Sequence, residues 1–344
     1  MKWKEKRDLR PRAQQKQAVQ GDGTIRRTLS FYKYVHFTDP EAVRRELFTA
    51  WGALGCLGRI YVAHEGINAQ MSVPKASWAE FERFMKSRVE YQDIPFKLAV
   101  EEGSAPAFYK LSIRHKAKIV ADGLDDTSFD VTNTGTYLTA AQMNEYIDDP
   151  EAIVIDMRNN YESEIGYFKG AITPDVKTFR DELRLVPKKL RVHKNKKIAL
   201  YCTGGIRCEK ASAWLKHSGF TNVRHLKGGI IDYKHQVEAS GLANYFKGRN
   251  FVFDERMSER IGTEIVSTCH LCRKVKCDTY HDCRAQVCHR LFIGCDTCVK
   301  KRHGFCSYRC QTLDRLPSSV KKRFTRLLST CRRIKGELRK VPLY

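Results

Sequence analysis

The residues Lys197-Ile198-Ala199-Leu200-Tyr201, Cys202-Thr203-Gly204-Gly205-Ile206-Arg207 and Cys208-Glu209-Lys210-Ala211-Ser212-Ala213-Trp214-Leu215-Lys216-His217-Ser218-Gly219 form one continuous stretch. The first part is an apolar run of the length of a buried parallel strand. The last part reads as a helix with Ala211, Trp214 and Leu215 on one face and Gly219 as its stop. Between them a cysteine opens a loop that Gly204 and Gly205 allow to curl. A loop joining a strand to a helix N-terminus aims several backbone N–H groups at one point, which suits an anion. Cys202 stands at that point, so its thiolate, or a persulfide on it, is stabilised. A cysteine that only packs in the interior is the bland alternative. The paired glycines, Arg207 and the helix start favour a reactive one.

The spacing selects the chemistry. Four residues separate Cys202 from Arg207. Cysteine phosphatases use a longer loop to surround phosphate, and a shorter one suits a single sulfur or oxygen atom. The loop resembles that of the rhodaneses. The flanks agree: Asp156-Met157-Arg158, Tyr161-Glu162, Gly166, Gly170-Ala171 and Pro174 precede it, and Gly219-Phe220, Val223, Leu226 and Gly228-Gly229 follow. In this setting Asp156 and Arg158 are expected to support the loop rather than to react.

The 344 residues carry a net charge of +23. Residues 1–28 hold 9 Lys and Arg against 3 acids, residues 269–310 hold 9 against 3, and residues 311–344 hold 10 against 2, so the middle is nearly neutral. Basic ends around a neutral core suit a polyanion partner, with solvated tails as the alternative. No apolar run approaches a membrane span, and the first residues lack the apolar segment of a secretory signal. A cytoplasmic protein with no membrane association is expected, its oligomeric state open.

The chain reads as a series of domains. Residues 1–28 look like a flexible basic arm. Over 29–121 the order is strand 30–37, helix 40–54 with Asp39 as N-cap, strands 58–64 and 67–73, helix 77–88 and strand 96–100. This βαββαβ order predicts an α+β ferredoxin-like domain, followed by an extended basic stretch at 107–120. A linker at 122–137 leads into a rhodanese-like α/β domain with a parallel sheet over 138–242, and 243–268 reads as a connecting strand.

Nine of the 13 cysteines fall in 269–310. Cys269 and Cys272, Cys283 and Cys288, Cys295 and Cys298, and Cys306 and Cys310 form tight pairs, with Cys277 left over. Such knuckle spacing is that of tetrahedral zinc, and four pairs fit two structural ions. His289 is a candidate to replace Cys288. A disulfide knot or an iron–sulfur cluster is the alternative.

Ala63-His64-Glu65-Gly66-Ile67-Asn68-Ala69, the Cys202 loop, Phe251-Val252-Phe253-Asp254-Glu255-Arg256 and the cysteine cluster occur in one order. Together they resemble the tRNA uridine hydroxylase family over about residues 29–310. Many members have Gly where this chain has Ala69. The resemblance implies C5 hydroxylation of the wobble uridine of tRNA, molecular oxygen as co-substrate and Cys202 as the active residue. No dinucleotide fingerprint or iron-binding facial triad is visible, so no nucleotide cofactor is expected. The Cys202 thiolate either adds to C6 of uracil or carries the oxidant, with Arg207 and the backbone of Thr203, Gly204, Gly205 and Ile206 stabilising the anion. Cys208 either packs at the helix start or resolves an oxidised Cys202. Asn68, Lys110 and Arg114 are candidates to line the substrate cleft. A sulfurtransferase that passes persulfide sulfur to an acceptor, and a silent RNA-binding zinc protein, are the rival readings.

Overall fold

The computed structural model of the protein describes residues 10–101, 106–125, 128–285, 288, 290–317 and 319–320. The expectations for residues 1–9, for His289 and for most of the basic tail at 311–344 lie outside these. The chain forms two compact units, Met1–Glu264 and Ile265–Tyr344.

The first unit opens with helix α1 (Arg12–Gly21) inside the segment read as a flexible arm. Its sequence is polar, so tertiary contacts hold it. Gln15 is buried, and Arg12 and Lys16 both bind the carboxylate of Glu255. Then come β1 (Arg26–Tyr34), α2 (Pro40–Ala53), β2 (Leu57–Ala63), β3 (Gly66–Pro74), α3 (Trp78–Lys86), β4 (Lys97–Leu98) and β5 (Leu111–His115). The sheet order is β4-β1-β3-β2-β5, with β5 parallel to β2 and the other pairs antiparallel. This is the ferredoxin-like arrangement, and the basic stretch at 107–120 supplies its added edge strand. Asp39 caps α2, accepting from the N–H of Glu41 at 3.0 Å and of Ala42 at 2.9 Å.

Alternation gives this sheet two faces. Leu29, Phe31, Ile60, Ile67, Ala69 and Met71 pack against Leu47 and Trp51 of α2 and Phe81 and Met85 of α3. The opposite face carries Ser30, Tyr32, Arg59, Tyr61, Asn68 and Gln70. Tyr32, Asn68, Tyr61 and Arg114 stand in one row across four strands.

The rhodanese-like part is built from β6 (Thr136–Leu138), α4 (Ala140–Asp148), β7 (Ile153–Asp156), α5 (Asn160–Ser163), β8 (Gly166–Phe168), α6 (Phe179–Lys189), β9 (Ile198–Tyr201), α7 (Ile206–His217), β10 (Val223–Leu226) and α8 (Gly229–Ser240). Strands β6-β10-β9-β7 form a parallel sheet. Every residue of β9 is buried, as its apolar sequence predicts for a central strand. The segment 243–268 is more than a connection. Its strands β11 (Phe246–Phe251) and β12 (Ser258–Arg260) make a small sheet with β8. β11 ends at Phe251, inside the motif Phe251-Val252-Phe253-Asp254-Glu255-Arg256. There the Asp254 carboxylate turns back to accept from Arg256, which also reaches Glu259.

Two buried charges on α7 join the halves of this unit. Lys210 Nζ donates to both carboxylate oxygens of Glu65 at 2.9 Å and to Asp122 at 2.5 Å. Glu209 accepts from Tyr32 and Tyr137, each at 2.9 Å. Glu65 belongs to the turn between β2 and β3, which gives that turn a docking role.

The second unit contains a hairpin of β13 (Tyr280–Asp282) and β14 (Leu291–Ile293), then α9 (Asp296–Lys301) and α10 (Tyr308–Asp314). Ala285, Phe292 and Phe305 form its small core with Cys283 and Cys310.

Because Lys210 and Asp122 are both buried, Lys210→Met leaves Asp122 short of its closest cation. The substitution is expected to destabilise the first unit by about 3 kcal/mol, read as a lower urea midpoint.

Candidate active site

The chain leaves β9 at Tyr201 and turns at once. Gly205 sits at φ +97° as the N-cap of α7 and donates its N–H to Cys202 Sγ at 3.1 Å. A Cβ at Gly205 would stand 2.8 Å from the Tyr32 hydroxyl, so the left-handed turn and the tyrosine both require glycine. Gly229, at φ +70°, lets the start of α8 approach the loop. A Cβ there would lie 2.6 Å from the carbonyls of Cys202 and Thr203. Those carbonyls accept from the N–H groups of Ile230 at 3.0 Å and Ile231 at 3.2 Å.

Arg207 closes the loop. Its guanidinium makes a fork with Glu162, at 2.5 and 2.8 Å, and reaches the Thr203 hydroxyl at 3.2 Å. Its donors are engaged by a buried carboxylate, and it acts on Cys202 through its charge. Burial opposes the Cys202 thiolate. The Cys208 thiol, the Arg207 charge and the amides of Cys208 and Gly205 outweigh burial and bring Cys202 down to about 6. Cys208 moves the other way: burial, and its hydrogen bond to Cys202, raise it well above the usual range. It stands in this structure as a buried thiol donor.

Asp156 and Arg158 are wholly buried and form a second fork, at 2.8 and 2.6 Å. Arg158 also donates to the Gly166 carbonyl at 2.6 Å and to Asn250 at 3.4 Å. The pair ties the end of β7 to β8 and β11, beneath the loop. Glu182 of α6 is equally buried, and neither of its carboxylate oxygens has a hydrogen-bond partner among the described residues. Burial, reinforced by Asp156, lifts this carboxyl well above its usual range.

A cleft of about 390 Å³ lies between the open face of the ferredoxin-like sheet and this loop. Tyr32, Tyr61 and Asn68 form one wall, and Thr203, Gly204 and Arg207 form another. Cys202 lies beneath that lining with no exposed surface. Asn68 thus reaches the place proposed for it and donates to the Ile119 carbonyl at 3.2 Å. Lys110 and Arg114 do not line the cleft. Lys110 stands near the Tyr109 ring, and Arg114 is exposed on β5 beyond Tyr61.

Sequence reasoning missed Tyr32, Glu209, Lys210 and Lys97, and it quoted Glu162 without assigning it a role. One signal was available. The run Ala211-Ser212-Ala213 has only small side chains, all buried, which marks a helix enclosed on every side. Charged residues on such a helix need partners.

In the second unit the thiols gather in two groups of four. Cys269, Cys272, Cys295 and Cys298 form one, and Cys283, Cys288, Cys306 and Cys310 form the other, each within 4.8 Å. The first pair thus joins the third and the second joins the fourth. In the second group Cys306 Sγ lies 3.7 Å from Cys288 and 3.6 Å from Cys310. A tetrahedron with Zn–S near 2.3 Å has edges of about 3.8 Å, so the spacing fits a metal ion of that kind. Cys277 belongs to neither group.

The chain matches three domain families. They are described as UPF0176 acylphosphatase like domain over 26–119, Rhodanese-like domain over 139–236 and Rhodanase C-terminal over 247–311. It is 50% identical over 297 residues to a tRNA uridine(34) hydroxylase of Leptospira interrogans serogroup Icterohaemorrhagiae serovar Lai (strain 56601), covering 86% of this chain and 80% of that one. The enzyme of the same name from Enterobacter sp. (strain 638) is 45% identical over 86% of this chain and 84% of its own. That from Escherichia coli (strain SMS-3-5 / SECEC) is 47% identical over 83% and 81%.

The thiolate absorbance that disappears in Cys202→Ser is expected to titrate near pH 6, present above that pH and lost below it. Arg207→Met should move the midpoint upward by at least about one unit, since it removes the neighbouring positive charge.

Proposed function

This chain belongs to the tRNA uridine(34) hydroxylase family, and from that membership we infer that it is a tRNA-modifying enzyme that hydroxylates the wobble uridine at C5, drawing on oxygen. The observation that carries the site is the cleft, which joins an aromatic, amide-bearing sheet face to the loop of a cysteine lowered to about 6. Tyrosine faces stack unpaired bases, and anticodon-loop bases are accessible for stacking. Asn68 spends its amide N–H on Ile119, and its carbonyl oxygen is suited to accept from uracil N3–H. The thiolate of Cys202 adds to C6, and the negative charge passes through C5 towards O4. Asp156 and Arg158 hold the strand end under the loop.

A sulfurtransferase would use the same loop. A cleft sized for a nucleobase and the common name of the relatives favour hydroxylation. The basic residues of 1–28 and 269–344 supply phosphate contacts for tRNA. A cytoplasmic site of action follows from that substrate, and no described helix is long and apolar enough to cross a membrane.

Each thiol tetrad holds one structural zinc ion, two per chain. All-thiolate sites leave no open position, so these ions fold the unit rather than react.

In a strain carrying Cys202→Ser, 5-hydroxyuridine should vanish from tRNA while the purified protein still binds tRNA. Undiminished modification in that strain would sink the mechanism. Elemental analysis should find about two zinc ions per chain. Because Cys269 and Cys298 share one group, Cys269→Ser, Cys298→Ser and the double variant should each lose one ion and no more.

A further inference from the structure

Beside the cleft lies a second, much smaller chamber of about 40 Å³. The two spaces share Ser30, Gln70, Thr203 and Phe253 as walls. The chamber is far too small for a nucleobase but has room for a diatomic molecule. Its exposed wall is mostly apolar, from Leu29, Ala99, Phe108, Ile231, Val252 and Phe253. Its polar residues include Arg256, Asp254 and Glu259, which are engaged with one another.

One cation in the wall is different. Lys97 of β4 is 7% exposed and lies with Nζ 4.5 Å from the Tyr32 ring centroid. Its ammonium makes no hydrogen bond or ion pair with the described residues. Its stem runs beside the loop, where a Cβ on Gly204 would stand 3.9 Å from Lys97 Cδ. Burial lowers its ammonium to about 8, against the pull of Asp232, Cys202 and Glu209.

We propose that this chamber is the oxygen site of the enzyme and that Lys97 is a catalytic residue within it. The proposal rests on the hydroxylase reading above. Oxygen is apolar and enters small apolar cavities, yet it becomes anionic as it reacts. The Cys202 thiolate, adding to C6, frees the C5=C6 electron pair. That pair forms the C5–O bond, the distal oxygen takes the charge, and Lys97 passes it a proton. Reduction of the resulting hydroperoxide to hydroxyl and water takes two electrons and two protons from a thiol-class reductant. Loss of Cys202 as its thiol, with the C5 proton, restores the C5=C6 bond. A fixed cation beside developing charge is the usual source of such rate gains.

The test is hydroxylation of tRNA by the full-length enzyme at varied dissolved oxygen, with tRNA affinity measured in parallel. Lys97→Met should lower kcat/KM for oxygen about 100-fold with tRNA affinity unchanged. Lys97→Arg should recover part of the loss. Ala99→Leu, which fills the chamber without touching the charge, should raise the KM for oxygen, and it decides the matter if Lys97→Met does not fold. Unchanged oxygen dependence in Lys97→Met or Ala99→Leu, or a loss confined to tRNA binding, overturns the site. Undiminished hydroxylation by the unaltered enzyme without oxygen would overturn the oxygen-dependent reading itself.

Discussion

The first turns of helix α7 place three demands on their surroundings: Arg207, Glu209 and Lys210 are all buried, and none is tolerable there without a partner. Each finds one on a different segment. Arg207 takes Glu162, Glu209 takes Tyr32 and Tyr137, and Lys210 takes Glu65 and Asp122. Through these pairs the start of α7, and with it the Cys202 loop, is located against both the rhodanese-like sheet and the ferredoxin-like sheet. The cleft follows from that constraint, because the polar face of one sheet is held opposite the loop of the other.

One of these charges, Arg207, also favours the Cys202 thiolate. Cys202 has no exposed surface, and burial alone would keep it a thiol. Its thiolate is favoured because Arg207 stands nearby with its charge retained by Glu162, and because Cys208 and two loop amides donate to the sulfur. Glu162 therefore supports that thiolate at one remove. It fixes the guanidinium in place and keeps that group from being left unpaired in the interior.

The cysteine unit follows a different logic. Among the described residues it has only a small apolar core, too little to hold so short a segment by burial alone. Its two thiol tetrads are suited to cross-link it through metal. Joining the first pair to the third and the second to the fourth makes each site span most of the segment. Each tetrad thus brings together parts of the chain that lie far apart in sequence, rather than closing one local knuckle.

Much of this was legible in the residues themselves. The buried strand, the glycine turn and the helix start around Cys202 are local patterns, and local geometry depends on neighbours in sequence. The capped helix at Asp39, the alternation that gives the first sheet one apolar face, and the cysteine pairs are of the same kind. What lay beyond reach was set by contacts between distant segments. Tyr32 meets Glu209 across 177 positions, Lys210 meets Glu65 across 145, and Lys97 comes to lie beside Gly204. No periodicity encodes such meetings. Nor does spacing say which cysteine pairs share a metal, because all four have nearly the same local form. By itself the sequence determined where the buried strand, the glycine turn and the helix start around Cys202 fall. Only the tertiary structure decided which charges neutralise one another, which sheet face looks at the loop and where a lone ammonium is left, since buried charge is settled by whatever the whole fold brings within reach.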